Sequence, residues 1–275
     1  MNIDLHCHST ASDGLLKPDA VVARAAANGV EVLALTDHDG VSGLAEARAQ
    51  AESEGVRFVD GVEISATWEG STVHIVGLQI DPQDPVLLSG LESVREGRAR
   101  RAEKMGEALA AAGVPDSLAG AKTYAENPSL ISRSHFARHL VKTGLALDVK
   151  SVFQRYLVKG KPGFVPHQWA SLGDAVSWIR ASGGIAVVAH PGRYQFSKPE
   201  LHAFLGEFRD SGGAGIEVVT GSHSPEQYFE FARIAREFGF AASRGSDYHG
   251  KGESKADLGA LPQLPDDLKP VWHDW

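Results

Sequence analysis

The sequence predicts an α/β fold, an irregular parallel barrel of about seven strands with an α-helical cap. Three observations support this prediction. Strand-like and helical segments alternate in the first 80 residues and again after residue 170. The stretch between them has helical spacing and contains no strand-like run. Side chains that can bind metals cluster where the predicted strands end, as they do at the active-site face of barrel enzymes.

The first part of the chain is predicted to form two βα units followed by a pair of strands. Strand-like runs occur at 2–8, 31–36, 57–65 and 72–80. Helices are predicted at 17–28 and 42–54, because Pro18 favours the start of the first helix and Gly29 and Gly55 end the two helices. The short connection 68–71 predicts that the third and fourth strands form a hairpin.

Residues 91–159 are predicted to form a helical insertion, or cap, between the fourth and fifth strands. Apolar residues recur there at helical spacing, which predicts helices at 87–112, 117–126, 134–143 and 149–156. The barrel is assigned to residues 1–90 and 160–275. Its second part is expected to contain strands at 185–189, 215–219 and 240–243, helices at 172–181, 199–211 and 225–238, and an irregular tail.

Composition and charge exclude several classes of protein. A single cysteine cannot form an intramolecular disulfide. No apolar run approaches the ~18 residues of a membrane span, and the first residues do not resemble a signal peptide, so a cytoplasmic protein without a membrane partner is expected. The net charge of −8 argues against binding to long duplex nucleic acid. Bound divalent ions would nevertheless make the site itself cationic and suited to a small phosphate ester.

Nine residues with imidazole or carboxylate side chains form the candidate metal site: His6, His8, Asp13, His38, Glu63, His74, His190, Asp247 and His249. The first two histidines are two residues apart, and this spacing places both side chains on one face of a strand. Nine ligands are too many for one ion, so two or three divalent ions are expected. Mixed histidine and carboxylate ligation suits manganese, iron or zinc, of which manganese is favoured.

Three acidic residues near these clusters receive specific predictions. Glu63 is the candidate bridging ligand, because its two carboxylate oxygens can bind two ions. Asp37 is a candidate for orienting a ligand through a hydrogen bond. Asp39 is predicted to cap the helix that follows the second strand.

The nine residues lie in short motifs that occur in a fixed order: His6-Cys7-His8 with Asp13, Thr36-Asp37-His38-Asp39, Gly61-Val62-Glu63-Ile64, His74, Ala189-His190-Pro191-Gly192-Arg193 and Ser246-Asp247-Tyr248-His249. This series resembles the polymerase and histidinol phosphatase (PHP) superfamily. The resemblance implies a distorted (β/α)7 barrel with a trinuclear metal centre. It assigns the first ion to His6, His8, Glu63 and Asp247, the second to Glu63, His74 and His190, and the third to Asp13, His38 and His249.

The helical insertion adds a more specific resemblance. Its size, its position and the segments Ser132-Arg133-Ser134-His135 and Lys159-Gly160-Lys161-Pro162-Gly163 are similar to one branch of that superfamily. Members of this branch act on nucleoside 3′,5′-bisphosphates and on the 5′ ends of short RNA. The resemblance therefore implies that the partner is a small phosphorylated nucleotide or a short oligonucleotide.

The predicted mechanism is in-line attack on phosphorus by a hydroxide that bridges two ions, with Asp247 and Glu63 as catalytic ligands. His223, at another predicted strand end, is the candidate general acid, with a surface histidine as the alternative. The candidate partners of substrate phosphates are Arg133, Ser134, His135, Lys161, Arg193, His223 and Arg244. The run 98–101, which contains three arginines, is interpreted as an exposed helix face. The other histidines are interpreted as structural or surface residues: His139, His167, His202 and His273.

The leading hypothesis is a metal-dependent phosphoesterase. Its predicted reactions are removal of the 3′-phosphate of nucleoside 3′,5′-bisphosphates and cleavage of the 5′-terminal 3′–5′ link of short 5′-phosphorylated RNA. One alternative is a metabolite phosphomonoesterase of the histidinol-phosphatase type. Another is a non-catalytic module that holds metal for a partner protein, and the complete set of ligands argues against it.

Overall fold

The computed structural model describes residues 1–275 and contains one sheet of eight strands. The strands are β1 (Ile3–Asp4), β2 (Val32–Leu35), β3 (Arg57–Trp68), β4 (Ser71–Leu78), β5 (Ala170–Ser171), β6 (Ile185–Val188), β7 (Gly215–Thr220) and β8 (Ala241–Gly245). Seven of them follow the order β1-β2-β3-β4-β6-β7-β8, and the two-residue β5 pairs with β3 beside this path. The seven strands predicted from the sequence are therefore confirmed.

The sheet curls into a nearly closed barrel with one antiparallel strand. The pairs β1–β2, β2–β3, β6–β7 and β7–β8 are parallel, whereas β4 runs antiparallel to both β3 and β6. The first and last strands approach each other, because the Leu5 amide donates to the Arg244 carbonyl at 3.0 Å and the His8 amide donates to the Tyr248 carbonyl at 2.9 Å. The predicted α/β barrel is thus confirmed.

Nine α-helices surround or cap the barrel. They are α1 (Pro18–Ala27), α2 (Leu44–Glu54), α3 (Pro85–Ala111), α4 (Ser117–Lys122), α5 (Arg133–Lys142), α6 (Val149–Val152), α7 (Leu172–Ala181), α8 (Lys198–Asp210) and α9 (Pro225–Phe238). Ser197 and Ser224 begin α8 and α9 with capping boxes, in which a side chain at each end of the first turn binds a free backbone amide. No helix is both long enough and apolar enough to cross a membrane.

Alternate residues of the strands pack on opposite faces of the sheet. Leu33 of β2 belongs to the largest apolar cluster, which also contains Val21 of α1. Its neighbour Val32 belongs to a smaller cluster with Ile3 of β1. Val271 of the C-terminal tail joins this smaller cluster, and its amide donates to the Ala242 carbonyl at 2.9 Å. The irregular tail therefore packs against the end of the barrel and completes its core.

The cap has an apolar core of its own, which is built from α3 to α6. The long helix α3 contributes to two cores: Leu87 and Leu91 pack with the barrel, whereas Met105 and Leu109 pack with Phe136 of α5 in the cap. The last predicted helix of the cap is shorter than expected, because α6 ends at Val152 and a π-helical turn covers Phe153–Leu157. The cap is thus joined to the barrel by a continuous helix.

Candidate metal centre and substrate cavity

The nine predicted metal-binding residues meet at one end of the barrel. His6 and His8 follow β1, His38 follows β2, and Asp247 and His249 follow β8. The others come from the Ser9–Gly14 loop, β3, β4 and the turn after β6. A Cβ atom at Gly245 would overlap His6, so a glycine is required for β8 to pass this close to the first strand. The clustering predicted from strand-end motifs is confirmed by this convergence.

Glu63 lies at the centre of the cluster and is completely buried. Its Oε1 atom is 2.9 Å from His74 Nδ1, 2.9 Å from His190 Nε2 and 3.4 Å from His6 Nε2. Its Oε2 atom is 2.8 Å from His38 Nδ1 and 3.3 Å from His8 Nε2. The two oxygens of one carboxylate therefore face two different sets of imidazoles.

Two more carboxylates complete the cluster. Asp247 Oδ1 lies 3.3 Å from His8 Nε2 and 3.6 Å from His6 Nε2. Asp13 Oδ1 lies 3.3 Å from His249 Nε2 and 3.8 Å from His38 Nε2. Within this arrangement, four groups have ligand atoms close enough to share an ion: His8, Asp13, His38 and His249; His6, Glu63 and His190; His6, His8 and Asp247; and His38, Glu63 and His74.

The three carboxylates of the cluster are ionised, which favours cation binding. Burial by itself would raise the pKa of Glu63, but the neighbouring imidazoles hold that pKa well below its usual range. Burial is likewise outweighed at Asp13 and Asp247, whose pKa values are also well below the usual range. Burial lowers the pKa of both His8 and His190 to about 3, so both imidazoles are neutral. Ionised carboxylates and neutral imidazoles are the forms that ligate divalent metals.

Unsatisfied buried atoms give a separate indication that the cluster accommodates ions. Asp13 Oδ1, Glu63 Oε2 and Asp247 Oδ1 are buried and accept no hydrogen bond with acceptable geometry. Buried polar atoms are normally satisfied, and an exception needs an explanation such as an ion. The nitrogen and oxygen donors fit a borderline or hard divalent metal. The residues present are therefore suited to hold the ions that the sequence predicts.

Glu217 supports the cluster and was missed by the sequence analysis. It lies in the apolar strand β7 and is 1% exposed. Its carboxylate is 2.8 Å from His6 Nδ1 and accepts the backbone amide of His190 at 2.5 Å. A carboxylate of this kind fixes the ring orientation of a metal-binding histidine. A glutamate within an otherwise apolar strand was the available signal, because buried charges require a specific partner.

A cavity of about 320 Å³ opens onto the metal-binding residues. Asp13, Glu63 and Asp247 form part of its wall. Five cationic side chains also line it: Arg98, Arg101, Arg133, Lys159 and Arg193. Burial, followed by repulsion from Arg193 and Arg98, lowers the pKa of Arg133 to about 10. An anionic ligand would offset this crowding of positive charge.

The chain was compared with known proteins at the level of family, sequence and structure. A family model described as "PHP domain" matches residues 4–179. This chain belongs to the PHP domain family. The matched span includes the whole cap, α3 to α6, and six of the nine candidate metal-binding residues: His6, His8, Asp13, His38, Glu63 and His74.

Two curated relatives of this PHP protein match nearly the whole chain. One, from Chromobacterium violaceum, is named 3′,5′-nucleoside bisphosphate phosphatase and is 51% identical over 273 residues, covering 99% of this chain and 96% of the relative. Another, from Escherichia coli, is named 5′-3′ exoribonuclease Rnm and is 40% identical over 274 residues, covering 99% of this chain and 93% of the relative. The chain therefore spans almost the full length of both relatives.

Two solved structures share the fold of this PHP protein. A structure described as an amidohydrolase from C. violaceum, with bound sulfate and no metal, has 51% identity and a TM-score of 0.97, covering 100% of this chain and 95% of that chain. A putative metal-dependent phosphoesterase from Bifidobacterium adolescentis has 28% identity and a TM-score of 0.84, covering 98% of this chain and 93% of that chain. The first description names an amidohydrolase and the second a phosphoesterase. The second description agrees with the names of both curated relatives, because a phosphatase and an exoribonuclease both cleave phosphoesters.

Of the predicted substrate-binding residues, Arg133, Ser134 and Arg193 line the cavity of the PHP domain. Ser132 caps α5 and so directs Arg133 and Ser134 from the first turn of that helix. Arg193 Nη1 donates to Asp247 Oδ2 at 2.9 Å, and its side chain is 50% exposed. Arg193 thus contacts a metal-binding carboxylate while its guanidinium remains open to a ligand.

Arg244 does not line the cavity, which contradicts its prediction as a substrate-binding residue. It is 1% exposed. Its guanidinium donates to the Ile3 carbonyl at 2.5 Å and to the Pro262 carbonyl at 2.8 Å, and Asn2 and Leu261 accept further bonds. Arg244 therefore joins β8 to the first strand and the C-terminal tail.

His223 is also placed differently from its prediction as a general acid or phosphate ligand. Its Nε2 atom accepts the Gly192 amide at 3.0 Å, and its Nδ1 atom is 3.1 Å from the Val218 carbonyl oxygen. Its ring stacks on Phe231, with centroids 4.6 Å apart. Because backbone groups occupy both ring nitrogens, His223 fixes the turn that carries His190 and has no nitrogen free for a substrate.

Two other predicted substrate-binding residues lie outside the cavity. His135 is 1% exposed, and its Nδ1 atom accepts the Ser132 amide at 3.1 Å, so it completes the capping box of α5. Lys161 is exposed and lines no part of the cavity, whereas Lys159 does. The predicted segment was correct, but the residue that faces the site is two positions earlier.

Asp39 binds the cap and does not start a helix, so the predicted N-cap is wrong. The helix α2 begins five residues later, at Leu44. Asp39 Oδ2 accepts from Arg98 Nε at 2.6 Å, and Asp39 Oδ1 accepts the Ser65 amide at 2.7 Å. Arg98 is 6% exposed, so the interpretation of residues 98–101 as an exposed helix face is wrong at this position. An ion pair between Asp39 and Arg98 thus joins the cap to the residue after His38.

Asp37 holds the loop that carries Asp13. Its carboxylate accepts the Ser9 amide at 2.8 Å, the Ser9 hydroxyl at 2.6 Å and the Ser12 hydroxyl at 2.5 Å. Asp37 therefore fixes the loop and contacts Asp13 only indirectly. The orienting role predicted for Asp37 would be exerted through this loop on the candidate ligand Asp13. His167 and Trp169 also line the cavity, although the sequence analysis assigned neither to the site.

Arg138→Met is expected to weaken metal binding about tenfold, because residues that orient ligands typically contribute factors of ten or more. Arg138 is buried in α5, donates to both carboxylate oxygens of Glu253 at 2.8 Å, and donates to the Asp13 carbonyl at 2.5 Å. It therefore fixes the loop beside Asp13 and His249. Calorimetric titration of the metal-free protein with Mn²⁺ measures the effect, and the exposed Lys142→Met on the same helix is the control. Equal affinities of the two variants would contradict this role.

Proposed function

We propose that this protein hydrolyses the 3′-phosphate of nucleoside 3′,5′-bisphosphates and the 5′-terminal 3′–5′ link of short 5′-phosphorylated RNA. The observation that carries the proposal is a cluster of nine residues that could hold metal ions and that opens into a cavity with five cationic side chains. A bisphosphate carries one phosphate for the centre and a second for the cationic wall. The names of the two curated relatives support this choice of substrates. A cytoplasmic location is part of this proposal.

The proposed cofactor is a set of two or three divalent ions, with manganese favoured over iron and zinc. His6, His8, Glu63 and Asp247 would hold the first, Glu63, His74 and His190 the second, and Asp13, His38 and His249 the third. Glu63 belongs to two of these groups, and its Oε1 atom lies near His74 and His190 whereas its Oε2 atom lies near His8. Bound divalent ions lower the pKa of water and neutralise charge on phosphoryl oxygens.

The cationic side chains orient the substrate. Arg193 lies beside Asp247, so its guanidinium can contact oxygens of the phosphate that reacts. Arg133 and Lys159 are proposed to bind the second phosphate, because guanidinium and ammonium groups form strong charge-assisted hydrogen bonds with phosphate. When no metal ions are bound to the protein, the carboxylates of Asp13, Glu63 and Asp247 repel the substrate phosphate. Binding of metal and binding of substrate are therefore expected to be coupled.

Aromatic side chains in the same cavity fit the nucleoside. Phe153 and Trp169 line the wall, and both already pack against arginines, with Arg133 5.5 Å from the Phe153 ring centroid and Arg98 4.9 Å from that of Trp169. Nucleobases stack on aromatic rings and on guanidinium planes. A small phosphorylated metabolite without a base would leave these surfaces unused, which favours a nucleotide.

Comparing two substrates tests the proposal. The Mn²⁺-loaded enzyme is expected to release phosphate from adenosine 3′,5′-bisphosphate with a kcat/KM at least about a hundredfold above that for histidinol phosphate, since the second phosphate forms bonds that the monoester cannot. Adenosine 5′-monophosphate, which lacks the 3′-phosphate, is the control. Faster turnover of histidinol phosphate would instead support a metabolite phosphomonoesterase.

A further inference from the structure

A second cavity, of about 350 Å³, adjoins the first at the metal centre. Five residues line both cavities: Ser134, Phe153, Arg193, Asp247 and His249. The wall that belongs to the second cavity alone includes Ser222 from the loop after β7 and Ser254 and Lys255 from the loop after β8. The metal-binding carboxylate of Asp247 thus stands where the two cavities meet.

Polar groups in the second cavity are free to bind a ligand. The Ser222 hydroxyl oxygen is buried and has no hydrogen-bond partner. The Ser254 hydroxyl oxygen accepts the amides of His249 at 2.7 Å and Gly250 at 3.2 Å, so its own hydrogen remains available. Lys255 is exposed and forms no ion pair, because the nearby Glu253 is bound by Arg138. These groups would recognise a hydroxyl-rich, negatively charged ligand.

A bisphosphate leaves this second cavity without a ligand. Apart from the 3′ oxygen, its reacting phosphorus carries only terminal oxygens, to which no further group is attached. The rest of the molecule is assigned to the cationic first cavity. The reacting phosphorus of an RNA chain carries in addition the 5′ oxygen of the next nucleoside. An RNA substrate must therefore extend in two directions from the metal centre, and two adjoining cavities provide for both.

We propose that the second cavity binds the nucleoside on the downstream side of the reacting phosphodiester, with Ser222, Ser254 and Lys255 facing its ribose and the phosphate that follows. This inference rests on the proposed function and assigns a binding site to the part of an RNA substrate that lies beyond the reacting link. Phe153, which lines both cavities, is placed to contact a nucleobase.

This placement implies a hydrolysis whose longer product is again a substrate. The oxygen of water forms a bond to phosphorus, the bond from phosphorus to the 3′ oxygen breaks, and the 3′ oxygen takes up a proton. The first product is a nucleoside 5′-monophosphate. The second product is a chain shorter by one nucleotide that again carries a 5′-phosphate. Each turnover therefore yields an end that the cationic first cavity can bind.

The experiment compares kcat/KM for a 5′-phosphorylated triadenylate and for adenosine 3′,5′-bisphosphate in the Mn²⁺-loaded enzyme. Lys255→Glu is expected to lower the ratio of the first to the second about tenfold, because a charge-assisted hydrogen bond to phosphate is replaced by repulsion. Lys251→Glu is the matched control, since Lys251 is exposed on the same loop and lines neither cavity. Ser222→Leu, which obstructs the cavity, is a second variant with the same expected change.

Each outcome separates the inference from the function on which it rests. A lower ratio in Lys255→Glu and Ser222→Leu, with an unchanged ratio in Lys251→Glu, supports the second cavity as the downstream site. An unchanged ratio in both variants overturns it, whether activity is retained on both substrates or lost equally on both. Wild-type enzyme that hydrolyses the bisphosphate and leaves the triadenylate intact also overturns it, while the bisphosphatase function stands. Failure on both substrates would refute the proposed function itself.

Discussion

Glu63→Gln is expected to abolish phosphoester hydrolysis, with kcat/KM for the bisphosphate falling at least about a thousandfold. Glu63 is completely buried, and its two oxygens face five imidazoles. Glutamine keeps the size of the side chain but removes its charge and replaces one acceptor oxygen with an amide donor. An amide donor in place of a carboxylate oxygen cannot bind a cation, so the metal content should fall with the activity.

The metal content of Glu63→Gln is measured together with its kinetics. Elemental analysis after dialysis gives the number of ions per chain, and circular dichroism shows whether the variant is folded. Glu226→Gln is the matched control, because Glu226 is exposed in the first turn of α9 and belongs to none of the groups that could hold an ion. Retention of both the wild-type metal content and activity within tenfold of wild type would remove Glu63 from the mechanism.

Arg98→Met is expected to lower the free energy of unfolding by about 3–5 kcal/mol, the usual cost of removing one partner of a buried ion pair. Asp39 is completely buried, and Arg98 donates to its carboxylate at 2.6 Å and to the Ser65 hydroxyl at 2.8 Å. Methionine fills a similar volume but leaves the Asp39 charge without its partner. Urea unfolding monitored by tryptophan fluorescence measures the change.

A double variant distinguishes loss of the pair from a general packing defect. In Asp39→Asn with Arg98→Met, the unpaired charge is removed, so part of the lost stability should return. Asparagine also tolerates the positive φ of 48° at this position. Arg100→Met is the control, because Arg100 is exposed and pairs only with Glu96 on the same helix. A double variant less stable than Arg98→Met alone would contradict this account.

The convergence of the nine candidate ligands could be predicted because strand ends are identifiable from the sequence. The pair His6 and His8 has the two-residue spacing of a strand face, and short apolar runs precede His38 and His190. Parallel strands of a barrel bring such ends together whatever the details of packing. Glu217 was not predicted because no histidine or carboxylate lies close to it in the sequence, so its contact with His6 becomes visible only in the folded barrel.

The cationic wall was predicted less well, because helical spacing alone does not identify the buried side of a charged helix. Arg98 and Arg100 are two residues apart on α3, yet one is buried against Asp39 and the other is exposed. Proximity to a motif was similarly misleading for Arg244. It lies three residues before Asp247, but its guanidinium binds the carbonyl oxygens of Ile3 and of Pro262 in the C-terminal tail.

Anomalous diffraction from crystals grown with Mn²⁺ tests the central claim most directly, which is that the nine residues form one centre for several ions. At least two anomalous peaks are expected within the cluster, each about 2.0–2.6 Å from its ligand atoms. The carboxylate of Glu63 should contact two of them. A single peak, peaks elsewhere on the protein, or an empty cluster at saturating Mn²⁺ would contradict the claim.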